Sequence, residues 1–88
     1  MQDLKARTKK FTLDCLSLCE KIPKSREFDS IVRQFIRSSS SVGANYRAAS
    51  RAKSDRDFIN KLKIVEEEAD ESMFWLEILS EIQNNHQN

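Results

Sequence analysis

Phe35-Ile36-Arg37-Ser38-Ser39-Ser40-Ser41-Val42-Gly43-Ala44-Asn45-Tyr46 is the stretch on which the fold turns. Four consecutive serines and the single glycine of the chain each cost a helix a few tenths to about 1 kcal/mol relative to alanine. Composition alone therefore marks a loop. Periodicity points the other way: Phe28, Val32, Phe35, Ser39, Val42, Tyr46 and Ala49 alternate steps of 4 and 3, and the phase passes through the serines without a slip. The stretch reads as one continuous helix whose small residues let another helix approach closely. A phosphate-binding loop is excluded, because no second glycine and no Gly-Lys-Ser/Thr follows Gly43.

The same repeat occurs on either side. Leu4, Thr8, Phe11, Cys15, Leu18 and Ile22 form one stripe, closed by Pro23, which lacks an N–H and disfavours helical geometry at Ile22. Phe58, Leu62, Val65, Ala69, Met73, Leu76 and Leu79 form another, opened by Ser54 or Asp55 as N-cap. The expectation is a single all-α domain over 1–88, an up-down antiparallel helical bundle. Its helices fall at about 3–22, 28–52 and 55–83, with a polar tail at 84–88 that frays. At 1.5 Å per residue the third helix reaches about 43 Å and overhangs the first.

Composition removes most other classes. One Gly and one Pro leave little turn material for an all-β chain of 88 residues. The longest apolar run, Met73-Phe74-Trp75-Leu76, is far short of the ~20 residues of a membrane span. The N-terminus has no apolar leader-type segment, so a cytoplasmic location is expected. Cys15 and Cys19 lie four apart, on one helical face and poorly placed to bridge each other. They read as small apolar side chains in a reducing compartment. His86 is the one histidine, so Glu66-Glu67-Glu68-Ala69-Asp70-Glu71 has no partner with which to complete a metal or acid–base site. No catalytic residue, metal, cofactor or small-molecule substrate is expected, and the chain reads as a binder or scaffold, not an enzyme.

Charge supplies the positive signal. The net charge is +1, yet residues 1–63 hold all 15 basic residues and 7 acids, a net +8, while residues 64–88 hold 7 acids and no Lys or Arg, a net −7. On a helical wheel Arg37, Arg47 and Arg51 fall within about 40° of Arg33, opposite the apolar stripe of the second helix. Lys53 and Arg56 extend that stripe. Its guanidinium forks suit phosphate and carboxylate equally, so two partners fit: RNA or DNA held non-specifically by its backbone, or acidic residues of a neighbouring chain. On the third helix Phe74 and Ile78 fall in the middle of the face otherwise occupied by Glu67, Asp70, Glu71 and Glu81, and Trp75 and Ile82 lie at its edge. Three helices cannot cover an apolar surface that wraps a helix nearly all round, so these four residues are expected at an oligomer interface.

The segments Arg37–Ala49, with its Val42-Gly43-Ala44-Asn45-Tyr46, and Glu66-Glu67-Glu68-Ala69-Asp70-Glu71 followed by Phe74-Trp75-Leu76-Glu77 carry a family resemblance. The chain closely resembles the bacterial four-helix-bundle family that includes the S23-like proteins encoded in intervening sequences of large-subunit ribosomal RNA genes. More distantly it is similar to the accessory variability protein of diversity-generating retroelements. The resemblance implies an up-down bundle assembled as a homopentamer with a basic surface and a role near nucleic acid, and it brings no catalytic residues. The family pattern has four helices, of which three are present here.

Overall fold

The computed structural model describes the backbone of residues 3–87 and side chains as far as Asn84. It contains three helices, α1 (Leu4–Glu20), α2 (Arg26–Ala49) and α3 (Asp55–Gln87), and among the described residues no strand. Each start is capped as the local chemistry dictates. The Asp3 carboxylate accepts from Ala6 N at 3.1 Å, Ser25 Oγ from Phe28 N at 3.1 Å, and Ser54 Oγ from Asp57 N at 3.1 Å. Glu27 and Asp29 in the first turn of α2 and Arg47 in its last oppose the helix dipole favourably.

The Ser38–Ser41 run lies inside α2, which is continuous from Arg26 to Ala49. It survives because its hydroxyls are absorbed locally and its small size is used. Ser38 and Ser39 are fully buried, with Oγ atoms 3.2 and 3.3 Å from the Phe35 and Ile36 carbonyls. Thr12 of α1 donates to the Ser39 carbonyl at 2.8 Å. A Cβ at Gly43 would lie 3.4 Å from the Thr8 carbonyl oxygen, so α1 rests almost directly on the α2 backbone.

On its other flank α2 meets α3 through a second small-residue contact. Ser72 Oγ lies 2.9 Å from Ser38 Oγ and 2.8 Å from the Glu68 carbonyl. The two hydroxyl hydrogens are thus shared among three acceptors with no exposure to water. The apolar core, Cys15, Ile22, Phe28, Phe35 and Leu79 with Phe11, Trp75 and Leu76 packed against it, fills the angle between the helices. Burial pushes the Cys15 and Cys19 thiols above their ordinary pKa, in keeping with a packing role.

α2 is the central element, and no Cα of α1 lies within 8 Å of one of α3. The side diagonal to α2 is open. The molecule is elongated accordingly: its radius of gyration is 14.8 Å, against roughly 12 Å for a compact domain of this length. Its long dimension of 51 Å matches the 33 residues of α3.

Three expectations are corrected. The second helix ends at Ala49, not near 52, because the chain tightens into i to i−3 bonds at Arg51 (3.1 Å to Ala48 O) and Ala52 (3.0 Å to Ala49 O) before Ser54 caps α3. The third helix runs on to Gln87, past the expected end at 83, with no glycine or proline to stop it; Asn88 lies outside the described residues. The apolar stripe of α3 is only in part its core face. Leu79 is buried and Leu76 packs on the core, but Met73 is 49% and Phe58 39% exposed while Ser72 is buried, because α3 packs on α2 through Ser72 and one edge of the stripe turns away from it.

Candidate nucleic-acid interface

The structure divides the arginine stripe. Arg37 is directed at α3, where it donates to Glu68 Oε2 at 3.1 Å, pairs with Glu71 and also contacts Gln34 Oε1 at 3.2 Å. Glu71 accepts in addition from Trp75 Nε1 at 3.0 Å. Arg37 thus belongs to an intramolecular network. Its side chain is 47% exposed, so the ion pair itself stabilises the fold by less than about 1 kcal/mol.

Arg33, Arg47, Arg51, Lys53 and Arg56 are exposed, and among the described residues none forms an ion pair. They do not form one line. Arg33 sits about 21 Å from Arg47 along α2, fourteen residues at 1.5 Å each. Arg51 lies past the helix, in the turn that carries Lys53, and Arg56 opens α3. The end of α2, the turn and the start of α3 therefore share one end of the bundle.

That end also receives the start of α1, because α1 runs antiparallel to α2. Lys5 and Lys9 join Arg47 around an open cleft of about 560 Å³ between α1 and α2. Gly43, Ala44 and Ser40 keep its α2 wall low, and Leu13 supplies an apolar patch. The one carboxylate at its edge, Asp3, is engaged in capping α1. Lys5 and Lys9 were not among the residues singled out from sequence. Their signal was present as an i, i+4 pair on one face of α1, but only the packing angle shows that this face borders Arg47.

The four residues expected at a subunit interface are also divided. Trp75 and Ile82 are half-buried against the molecule's own core. Ile78 is half-buried, and Phe74, edge-on to Trp75 at 5.0 Å between ring centroids, is 51% exposed. The Glu66–Glu71 acids do not gather into a site: no group of three or more potential metal ligands occurs among the described residues. No helix among them is long and apolar enough to cross a membrane.

Comparison with known proteins agrees with this architecture. No curated protein matches the chain. A crystal structure of a protein of unknown function from the S23 ribosomal protein family, from Bacteroides thetaiotaomicron, superposes with a TM-score of 0.84 at 34% sequence identity. The match covers 93% of this chain and 76% of that one. The family model of the 23S rRNA-intervening sequence protein matches residues 2–87, and the chain belongs to that family.

Proposed function

We propose that the protein is a non-enzymatic helical module that grips the phosphate backbone of nucleic acid, without reading bases, through the basic end of the bundle. The observation that carries this reading is the convergence of Lys5, Lys9 and Arg47 on one open cleft, beside the unpaired Arg51 and Lys53. Phosphate fits such a cleft better than carboxylate-bearing protein does, because a continuous polyanion engages several cations at once and releases their counterions. No aromatic residue lines the cleft, so bases have no stacking platform and sequence preference has no structural source. The name of the matched family, which refers to a ribosomal RNA intervening sequence, favours RNA as the first nucleic acid to test.

A salt titration of binding to fluorescein-labelled oligonucleotides tests the proposal. With five cations engaged, the slope of log K against log salt is expected near −3.5 on single strands and about −4.5 on duplex. Absence of binding at low ionic strength contradicts it. The alternative, a scaffold whose basic stripe pairs with acids of a neighbouring chain, draws support from Arg37, which already binds carboxylates in that way. In that reading the exposed Phe74 and the adjoining Ile78 would face a neighbour in a homo-oligomer, pentameric if the family resemblance holds for assembly. It predicts that Arg47 changes disturb assembly and leave no nucleic-acid binding to lose.

A further inference from the structure

The cleft at the basic end continues along the bundle as a groove between α1 and α2. Residues seven apart on a helix fall within about 20° of each other, so a heptad step extends a wall of side chains along the axis. Ser40 and Arg47, both lining the cleft from α2, are one such step. The next step away from the basic end reaches Arg33, which is exposed and forms no ion pair among the described residues. On α1 the same step carries Lys9 to Leu16 and Leu13 to Glu20. Arg33 therefore borders the same groove as Arg47, about 21 Å further along.

Heights follow from the contacts between the two helices. Thr12 donates to the Ser39 carbonyl, and a Cβ at Gly43 would face the Thr8 carbonyl, so four residues along α1 match four in reverse along α2. Arg47 is then level with the first turn of α1, beside Lys5, and Arg33 is level with Leu18, between Leu16 and Glu20. Small and apolar groups separate these cationic ends: Gly43 and Ala44, then Leu13 at 54% and Leu16 at 36% exposed. Asp14 lies on the other side of α1, paired with Lys10 at 2.8 Å. The first acids on the path are Glu20, level with Ile31, and Asp29, one turn beyond Arg33.

From this arrangement we propose that a single strand of RNA lies along the α1–α2 groove from Arg47 to Arg33. Its phosphates meet cations at both ends and its sugars pass over the leucines between them. A strand is slender enough to follow the furrow between packed helices, whose axes are about 8–10 Å apart. The span corresponds to roughly four to six nucleotides, at the short end of single-strand site sizes, and Glu20 and Asp29 close it by repelling the next phosphate. The inference rests on the phosphate grip of the basic end and gives that grip a direction and a length.

Competition anisotropy of the full chain with oligouridylates of three and eight nucleotides at low salt provides the test. R33E should bind the longer strand roughly tenfold more weakly and flatten its salt slope by about 0.7 or more, with the shorter strand within about threefold of wild type. Lys63 is exposed and nine residues from Ser72, on the face of α3 turned away from α2. K63E, an equal change of charge there, should leave both strands within about threefold of wild type. E20K removes an acid that closes the groove and should tighten the longer complex roughly threefold or more, a gain that misfolding does not produce. An R33E protein that binds the longer strand as wild type does, an equal loss in K63E, or no gain in E20K would overturn the proposal and leave the cleft itself to be judged by K9E with R47E. Absence of binding by the wild type would overturn both.

Discussion

Ser72 shows how one residue sets the rotation of a helix. A serine at this height is small enough for α3 to lie against the α2 backbone, and its hydroxyl, 2.9 Å from Ser38 Oγ and 2.8 Å from the Glu68 carbonyl, leaves no buried polar group unpaired. Size and polarity make different predictions. Ser72→Ala removes one shared hydrogen bond while Ser38 keeps the Phe35 carbonyl, so a loss of about 0.5–1.5 kcal/mol is expected in urea unfolding. Ser72→Leu forces extra methyl groups into a closed contact and should cost about 1–3 kcal/mol or more. If leucine proved the milder change, α3 would not be seated through Ser72. The neighbouring Met73 has the apolar chemistry of a core residue and the exposure of a surface one, because seating Ser72 on α2 turns the next side chain away from it.

Among the elements, α2 was the most legible in sequence and α3 the least. The unbroken 4–3 repeat outweighed the poor propensity of Ser38–Ser41, and the reason is visible in the packing: Ser38 is buried against α3 and Ser39 against α1, and Gly43 lies beneath the Thr8 carbonyl. Gly43 has no left-handed backbone to maintain, and its place beneath α1 leaves just enough room for one methyl group. A methyl group there would meet the Thr8 carbonyl at an ordinary contact distance of 3.4 Å. Gly43→Ala should therefore raise stability by about 0.5–1 kcal/mol through helix propensity, seen as a higher urea midpoint; a lower midpoint would show that α1 sits closer than 3.4 Å allows. For α3, the apolar stripe from Phe58 to Leu79 was legible as a stripe, but not which neighbour it faces. Periodicity gives the direction of a face relative to the helix axis and not the position of other helices around it. The same limit applied to Arg37, whose helical phase matches Arg33 and Arg51 although its chemistry is tied to Glu68 and Glu71.

At the scale of the whole molecule, the charge asymmetry between residues 1–63 and 64–88 becomes spatial. Beyond Asp55 and Asp57 in its first turn, the acids of α3 occupy its middle and C-terminal half, where Glu68 and Glu71 neutralise Arg37. Among the unpaired cations, Lys5, Lys9, Arg47, Arg51 and Lys53 lie together at the opposite end, from α1, α2 and the α2–α3 turn, while Arg33 stands apart along α2. The sequence made Arg47, Arg51, Lys53 and Arg56 legible, since they are near one another in the chain. Lys5 and Lys9 depended on an interhelical angle that no local pattern encodes. The basic end and the Arg37 network thus make opposed predictions for the same ligand. Anisotropy titration of a labelled single-stranded RNA at low salt separates them when K9E with R47E is measured beside R37A. Loss of roughly 100-fold or more in affinity for the cleft variant, with R37A within about threefold of wild type, is the expected result. Equal affinity for wild type and K9E with R47E, or a loss confined to R37A, would contradict the assignment of phosphate binding to this end of the bundle.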